Sequence, residues 1–326
     1  MRVSKKEMFE RISQDERHSL AVGSVAEPFV SPAWERMLTD AFPYMVFEHY
    51  LYNEKYEVRI TKIGNRATAM PFSDGGDVIS RNSEPLPLTA FYEDLKQEFG
   101  KNAFVRINEL YCSVAETEGF SAPIADFRVV LKDDESMIRS FRKTLRHVLG
   151  APLSMGVSIE KTKDSGTMRR VYYLYLENIR SAAALALPWE AFSVLVEEEN
   201  NELWVFKVHG NVRAASLFLN TSRASHYYIS AGDAQGKEHF GSHRILWHAM
   251  KTYAKEGKKE MFLGGTAVDS PLYTFKSGWR GDERSVYSIG SGMHESARIS
   301  PARKLWRFLP LALVPKMSQL AGKYVF

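Results

Sequence analysis

Between Ser225 and Gly265 the chain gathers residue types that can hold and polarise an anion. An apolar, tyrosine-rich stretch, HYYIS at 226–230, runs into AGDAQGKEHFGS, then a helix from His243, then MFLGG. Strand, helix and strand in so short a span predict a right-handed βαβ unit with parallel strands. Ligands of such sheets bind beyond the strand carboxyl ends, where a helix N-terminus offers free backbone N–H groups. Gly236, Lys237, Gly241 and Ser242 suit an anion there, and His243 and Arg244 at the helix start are placed to touch a phosphate. A glycine-containing loop is by itself a weak motif. A second basic group, Arg139, Arg142, Lys143 and Arg146, falls at i, i+3, i+4 and i+7 of a helix predicted over 134–149. Such a stripe either grips phosphates or forms a solvated face.

Other constellations say less. His239 and His243 are four apart, but Gly241-Ser242 lies between them and starts the helix, and no carboxylate or cysteine completes a metal site with His248. No metal is expected. Cys112, the single cysteine, excludes an intramolecular disulfide framework and reads as a packed core thiol. Asp74-Gly75-Gly76 reads as a tight turn or as a loop closing over a substrate.

The elements that must position these residues occur twice. SPAWERMLTDA at 31–41 predicts a short helix opened by Ser31 and Pro32, and PWEAFSVLVEEE at 188–199 opens in the same way. Each leads into a hairpin turning at a Gly-Asn pair, Gly64-Asn65 and Gly210-Asn211. Each half then has a helix stopped by glycine, Gly100 or Gly257, that feeds a strand. The prediction is an α/β fold with a mixed sheet in two related tandem domains, residues 1–150 and 151–300, with a tail at 301–326.

Composition agrees with a soluble globular chain. The 326 residues are 44% hydrophobic and 25% charged, with a formal net charge of +4. These values exclude disorder, collagen and a histone-like nucleic-acid binder. No apolar leader is read in 1–20, and the longest apolar run, FLPLALVP at 308–315, holds two prolines and is too short to span a bilayer. The tail carries Arg303, Lys304, Arg307 and Lys316 beside Leu305, Trp306, Phe308, Leu309 and Leu311. It suits either an anionic membrane surface or docking on its own domain. The expected location is the cytoplasm, with peripheral contact on the inner face of the membrane if the tail makes it. Oligomeric state is not legible.

After MFLGGT the chain continues DSPLYTFKSGWRGD at 269–282. Gly264-Gly265 followed by Tyr273, Phe275, Lys276, Gly278 and Gly281 resembles the C-terminal half of FemAB-like and CelD-like acyltransferases of the GNAT superfamily. SPAW at 31–34, MPFSDGGDVIS at 70–80 and SFRKTLRH at 140–147 extend the similarity over roughly residues 31–290. The resemblance implies tandem GNAT-like domains, each a mixed, largely antiparallel sheet with a βαβ unit flanked by helices. It also implies an acceptor lying between the domains or against the second one.

By that resemblance, the strands at 226–230 and 261–263 splay apart and seat the donor carbonyl in the wedge, near Ser230, Gly264 and Gly265. Lys276 then neutralises phosphate or developing charge, and Tyr273 protonates the departing group. Asp233 and His226 are the candidates for the base that deprotonates an amine. Asp74, Gly75, Arg142 and Arg146 are the candidates for acceptor binding. No tightly bound cofactor is implied; the donor is acyl-CoA or aminoacyl-tRNA. Glu238 stands three residues before Gly241, where GNAT phosphate loops carry Arg or Gln, and it repels a pyrophosphate. There are no sustained heptads for the coiled-coil arm of strict Fem proteins. Both donors stay open. The expected activity is acyl or aminoacyl transfer to an amine, on an envelope or sugar precursor in cell-envelope or polysaccharide biosynthesis. The alternative is a non-catalytic GNAT-like module binding an anionic glycan, nucleotide or RNA.

Overall fold

A computed structural model describes residues 8–12, 27–29, 31–74, 76–81, 84–113, 117, 120–290 and 305–325. The chain divides into two compact units: Met1–Asp126 with Arg284–Arg298 and Lys323–Phe326, and Phe127–Glu283 with Ile299–Gly322.

The first unit holds β1 (Phe9–Arg11), α1 (Pro32–Ala41), β2 (Met45–Tyr52), β3 (Tyr56–Ile63), β4 (Arg66–Thr68), β5 (Val78–Ser80), α2 (Leu88–Phe99) and β6 (Phe104–Asn108). Ser31 caps α1, its hydroxyl accepting from the Trp34 N–H at 3.1 Å. The sheet runs β1-β2-β3-β4, with β5 also on β3, and every pair in it is antiparallel. Gly64, at φ +58°, supplies the backbone that the β3–β4 turn needs. Its core includes Tyr52, Val58, Phe91, Leu95 and Ile107.

Here β5, α2 and β6 follow one another, yet β6 pairs antiparallel with 286–290. Between the segments that flank α2, an isolated parallel bridge joins Leu86 to Cys112. The Asp77 carboxylate accounts for part of this, since it accepts from the Arg106 N–H at 2.7 Å, and the Asp77 N–H goes to the Arg106 carbonyl.

A buried polar network lies beneath the 70–77 loop. His49 bridges Glu35 (2.6 Å) and Glu57 (3.3 Å). Arg59, fully buried, donates to the Gly76 carbonyl, and burial pulls its guanidinium below the ordinary value. Charges taken this far out of water persist only when paired and hydrogen-bonded.

The second unit takes over within β7 (Ser121–Val130) and continues with α3 (Asp134–Ser140), α4 (Lys143–Gly150), β8 (Val157–Lys161), α5 (Ser165–Ser181) and α6 (Trp189–Glu197). Then come β9 (Glu202–Val208), β10 (Asn211–Asn220), β11 (Ala224–Gly232), α7 (Ala234–Glu238), α8 (Gly241–Lys255), β12 (Glu260–Ala267) and α9 (Pro271–Ser277). The chain leaves through β13 (Asp282–Gly290), and α10 (Val314–Val325) closes it. Strand order is β7-β12-β11-β10-β9-β8, with β11 and β12 parallel and β8 to β11 antiparallel. Both α5 and α8 pack on β10 and β11. The near-continuous burial along β10 requires that both faces be covered.

One expectation needs correction. The helix predicted over 134–149 is two helices, because Phe141 and Arg142 are extended, with ψ of 159° and 145°. Phe141 leaves the helical path to set its ring against Trp279 (5.0 Å) and Trp247 (5.6 Å), and the Arg142 N–H donates to the Gly278 carbonyl. The four cations therefore form no single helical stripe, and Arg139 pairs with Glu135. The described part of the tail rests in part on its own unit, one of the two readings given for it: Val314 and Ser318 are buried, and Ser318 Oγ accepts from the Ala186 N–H at 2.9 Å. Residues 301–304 of the tail lie outside the described residues.

Candidate active site

The parallel ladder between β11 and β12 is short. It joins Ala224 to Glu260, Ser225 to Met261 and His226 to Phe262, and stops there. On its other edge β11 stays paired with β10 as far as Gly232. That pairing slips between Leu217 and Phe218, so Tyr228 is the extra residue of a bulge in β11. An extra residue in one strand bends it and increases its twist. The bulge thus falls where β11 parts from β12, and a wedge opens between their carboxyl ends.

Lys276 closes the β12 side of this wedge. It is only 5% exposed, and its Nζ donates to the carbonyls of Gly264 (2.9 Å) and Gly265 (3.0 Å). Successive carbonyls of a strand point to opposite sides. Gly264, at φ +76°, breaks that alternation so that one ammonium meets both. The helix carrying Lys276 is set by Ser270, whose hydroxyl accepts from the Tyr273 N–H, with Pro271 in the first turn.

Tyr273 lies one turn before Lys276 on α9, so both side chains leave the same side of that helix. Its phenol donates to the Glu283 carboxylate at 3.0 and 3.2 Å, and this hydrogen bond raises the phenol above its ordinary value. Arg142 acts on the same phenol from nearby, in the opposite sense. Arg146 is exposed on α4. No sequence signal singles out Glu283, which is separated from Tyr273 by a turn.

Ser230 and Ser242 meet at 3.2 Å, and Ser216 reaches Ser230 at 3.4 Å. The buried Tyr227 phenol hydrogen-bonds with the same three hydroxyls, while burial raises its pKa. The result is a hydroxyl cluster where β10, β11 and the start of α8 converge. Tyr227 also stacks on Phe275, and Phe275 lies 4.6 Å from His243. Burial pushes His243 down to about 4, which keeps it neutral at physiological pH. Sequence reasoning passed over Tyr227 and Ser216, for which the doubled tyrosine in HYYIS was the available signal, and named Phe275 only as part of a motif.

The remaining candidates have other surroundings. His226 is buried, stacks on Phe262 at 4.7 Å, and is pushed down to about 3 by burial. Asp233 caps α7 by accepting from the Gly236 N–H, and its second oxygen pairs with Arg213 (3.2 Å) and Arg170 (3.5 Å). A Cβ on Gly236 would collide with the Arg213 carbonyl, and one on Gly241 would stand 2.8 Å from the Ala214 Cβ. Both glycines therefore admit helices close to the sheet. Arg244 donates to the Ala151 carbonyl, and burial lowers its pKa.

Lys237 lines a polar cleft of about 560 Å³ at the end of β11, with Gly232, Asn178, Arg180 and Glu177. Asp74 belongs to the first unit, in the loop that Arg106 holds through the Ser73 carbonyl and hydroxyl. Gly75 lies outside the described residues. No cluster of metal-ligating side chains occurs among the described residues.

Solved structures decide what this architecture is. FemX superposes with a TM-score of 0.59 at 12% identity, over 89% of this chain and 99% of its own. The fold is FemAB/GNAT-like. A C-terminal domain named as that of a lysylphosphatidylglycerol synthetase from Agrobacterium fabrum gives 0.53 at 13% identity, over 90% of this chain and 98% of its own. A tandem GNAT protein from the clavulanic acid biosynthesis pathway gives 0.50 at 10% identity, over 86% and 97%. No protein-family model and no curated protein matches the sequence. At these identities the FemAB/GNAT-like likeness is one of fold.

Proposed function

We propose that the second unit transfers an acyl or aminoacyl group from an activated donor, a thioester or an aminoacyl-tRNA ester, to an amine. The observation that carries this reading is the wedge, opened by the Tyr228 bulge and held on its far side by Lys276. A carbonyl seated between the parted strands meets their backbone N–H groups, the arrangement that stabilises a developing oxyanion. The amine nitrogen attacks the carbonyl carbon, the tetrahedral oxyanion collapses, and the donor's sulfur or oxygen leaves with its electron pair. Tyr273 supplies the leaving group's proton and recovers, by way of solvent, the proton that the attacking nitrogen loses as the amide forms. Glu283 orients the phenol. Lys276 acts by position, holding the wedge open and adding positive charge beside it. The base role is not given to His226, which is buried and whose pKa burial pushes down to about 3, too low to hold a proton taken from an amine, nor to Asp233, whose oxygens are engaged by Arg170, Arg213 and the Gly236 N–H.

The donor's anionic part fits the cleft lined by Lys237 and Arg180. The acceptor class proposed is an amine-bearing envelope or sugar precursor. Equilibrium binding to acetyl-CoA, longer acyl-CoAs, and charged and uncharged tRNA, all at one salt concentration, tests the reading. Saturable binding of one donor class, with amide formation detected by mass spectrometry when amines are added, is the expected result. Failure of every donor to bind overturns it.

A further inference from the structure

Helix α10 has two unlike faces. Val314, Ser318 and Gly322 are buried, and the seam is fixed by the Ala186 N–H on Ser318 Oγ and by Arg180 on the Leu309 carbonyl at 3.0 Å. Beside this seam Leu313, Met317, Leu320 and Tyr324 stand in solvent, Leu320 at 62% exposure and Tyr324 at 83%. At 100° per residue the four fall within about 60° of the helix circumference. Leu305 (70% exposed) and Phe308 (83%) add apolar surface just before the helix. Leaving this many large apolar groups in water on one short segment is unfavourable, by roughly 25 cal/mol per Å², and marks an interaction surface.

Charge decides among the occupants. Lys316 and Lys323 border the apolar stripe on the side away from the seam, and Arg307 adjoins Phe308. From Ser296 to Phe326 the sequence has six Lys or Arg and no Asp or Glu. A second copy of this chain would bring these like charges together. The stripe is one helix wide and matches the footprint of a helix lying in a membrane interface, with cations at headgroup level. No described helix is long and apolar enough to cross a membrane. We propose that the 305–325 segment docks the protein on an anionic lipid bilayer, with Phe308, Met317 and Leu320 entering the acyl boundary and Arg307 and Lys316 at the phosphates. The proposal is independent of the transfer reaction.

The test is cosedimentation of the full chain with phosphatidylcholine vesicles, with and without 30% phosphatidylglycerol. Phe308→Ser/Leu320→Ser and Lys316→Glu are the variants; all three positions face solvent, so circular dichroism should report an unchanged fold. The expected result is binding to the anionic vesicles only, weakened about tenfold or more by either variant and by 0.5 M NaCl. Three results overturn the proposal: no binding to anionic vesicles, equal binding to both vesicle types, or binding that neither variant changes. A concentration-dependent dimer in sedimentation velocity that Leu320→Ser dissolves also overturns it, because the stripe would then be a protein interface.

Discussion

The Lys276 ammonium binds the carbonyls of Gly264 and Gly265, just beyond the last β11–β12 pair at Phe262. Lys276→Met removes both bonds, the one to the buried Gly264 carbonyl included, so the fold should lose about 1–3 kcal/mol in urea unfolding. Donor turnover should vanish in the same variant. Tyr273→Phe keeps the ring against Phe127 but removes the proton, so kcat should fall about a hundredfold while the donor's KM stays put. An unchanged kcat would take the acid role away from Tyr273. His226 makes a thermodynamic prediction. Burial lowers its pKa to about 3, from near 6.5 in the unfolded chain. Below pH 6.5 the unfolded state therefore takes up a proton that the native state refuses. Its contribution is complete above that pH and declines toward pH 3 by about 1.4 kcal/mol per unit. His226→Phe should flatten the acid limb of urea stability between pH 6.5 and 5. At this scale the sequence was only half legible. The type and spacing of Tyr273 and Lys276 could be read, whereas the partners of Asp233 (Arg170, Arg213) come from remote elements that no local pattern announces.

Elements were easier to read where the physics is local. Ser31 with Pro32 opens α1, Gly100 follows α2, and Gly64-Asn65 turns the β3–β4 hairpin, whereas the β9–β10 turn lies one residue before the expected Gly210-Asn211 pair, at His209-Gly210, both with positive φ, because Asn211 already pairs with Val208. Each of these signals acts within a few residues. The break at Phe141–Arg142 was hidden, since the heptad-like spacing of its apolar residues satisfies one helix as well as two. What breaks it is an aromatic socket built from Trp247 and Trp279, far along the chain. The glycines of the 232–241 loop look in sequence like a phosphate cradle, yet their environment is helix-to-sheet contact. A direct comparison follows. Gly236→Ala drives a methyl into the Arg213 carbonyl and should cost about 1–3 kcal/mol of stability. Gly150→Ala, with nothing within 4 Å and an ordinary φ, should be neutral or slightly stabilising. Thermal melts of the two variants side by side give the answer; equal melting points would refute the packing role.

At the level of the whole molecule, the tandem echo was legible because both halves repeat helix, hairpin, helix and strand. The route of the chain was not, because it depends on pairings between distant segments. The first unit is assembled from Met1–Asp126, Arg284–Arg298 and Lys323–Phe326. Its strand β6 finds its antiparallel partner only at 286–290. A protein made from its N-terminus at about 5–20 residues per second must therefore hold β6 unpartnered for roughly ten seconds or more on the ribosome. The second unit's strands β8 to β12 are contiguous and can close first. Vectorial synthesis thus inverts the written order: the first half of the message encodes the last part to be finished. A nascent chain stalled near residue 250 should present an open strand edge to chaperones, and a gene cut between the halves should yield a second fragment better able to fold alone than the first.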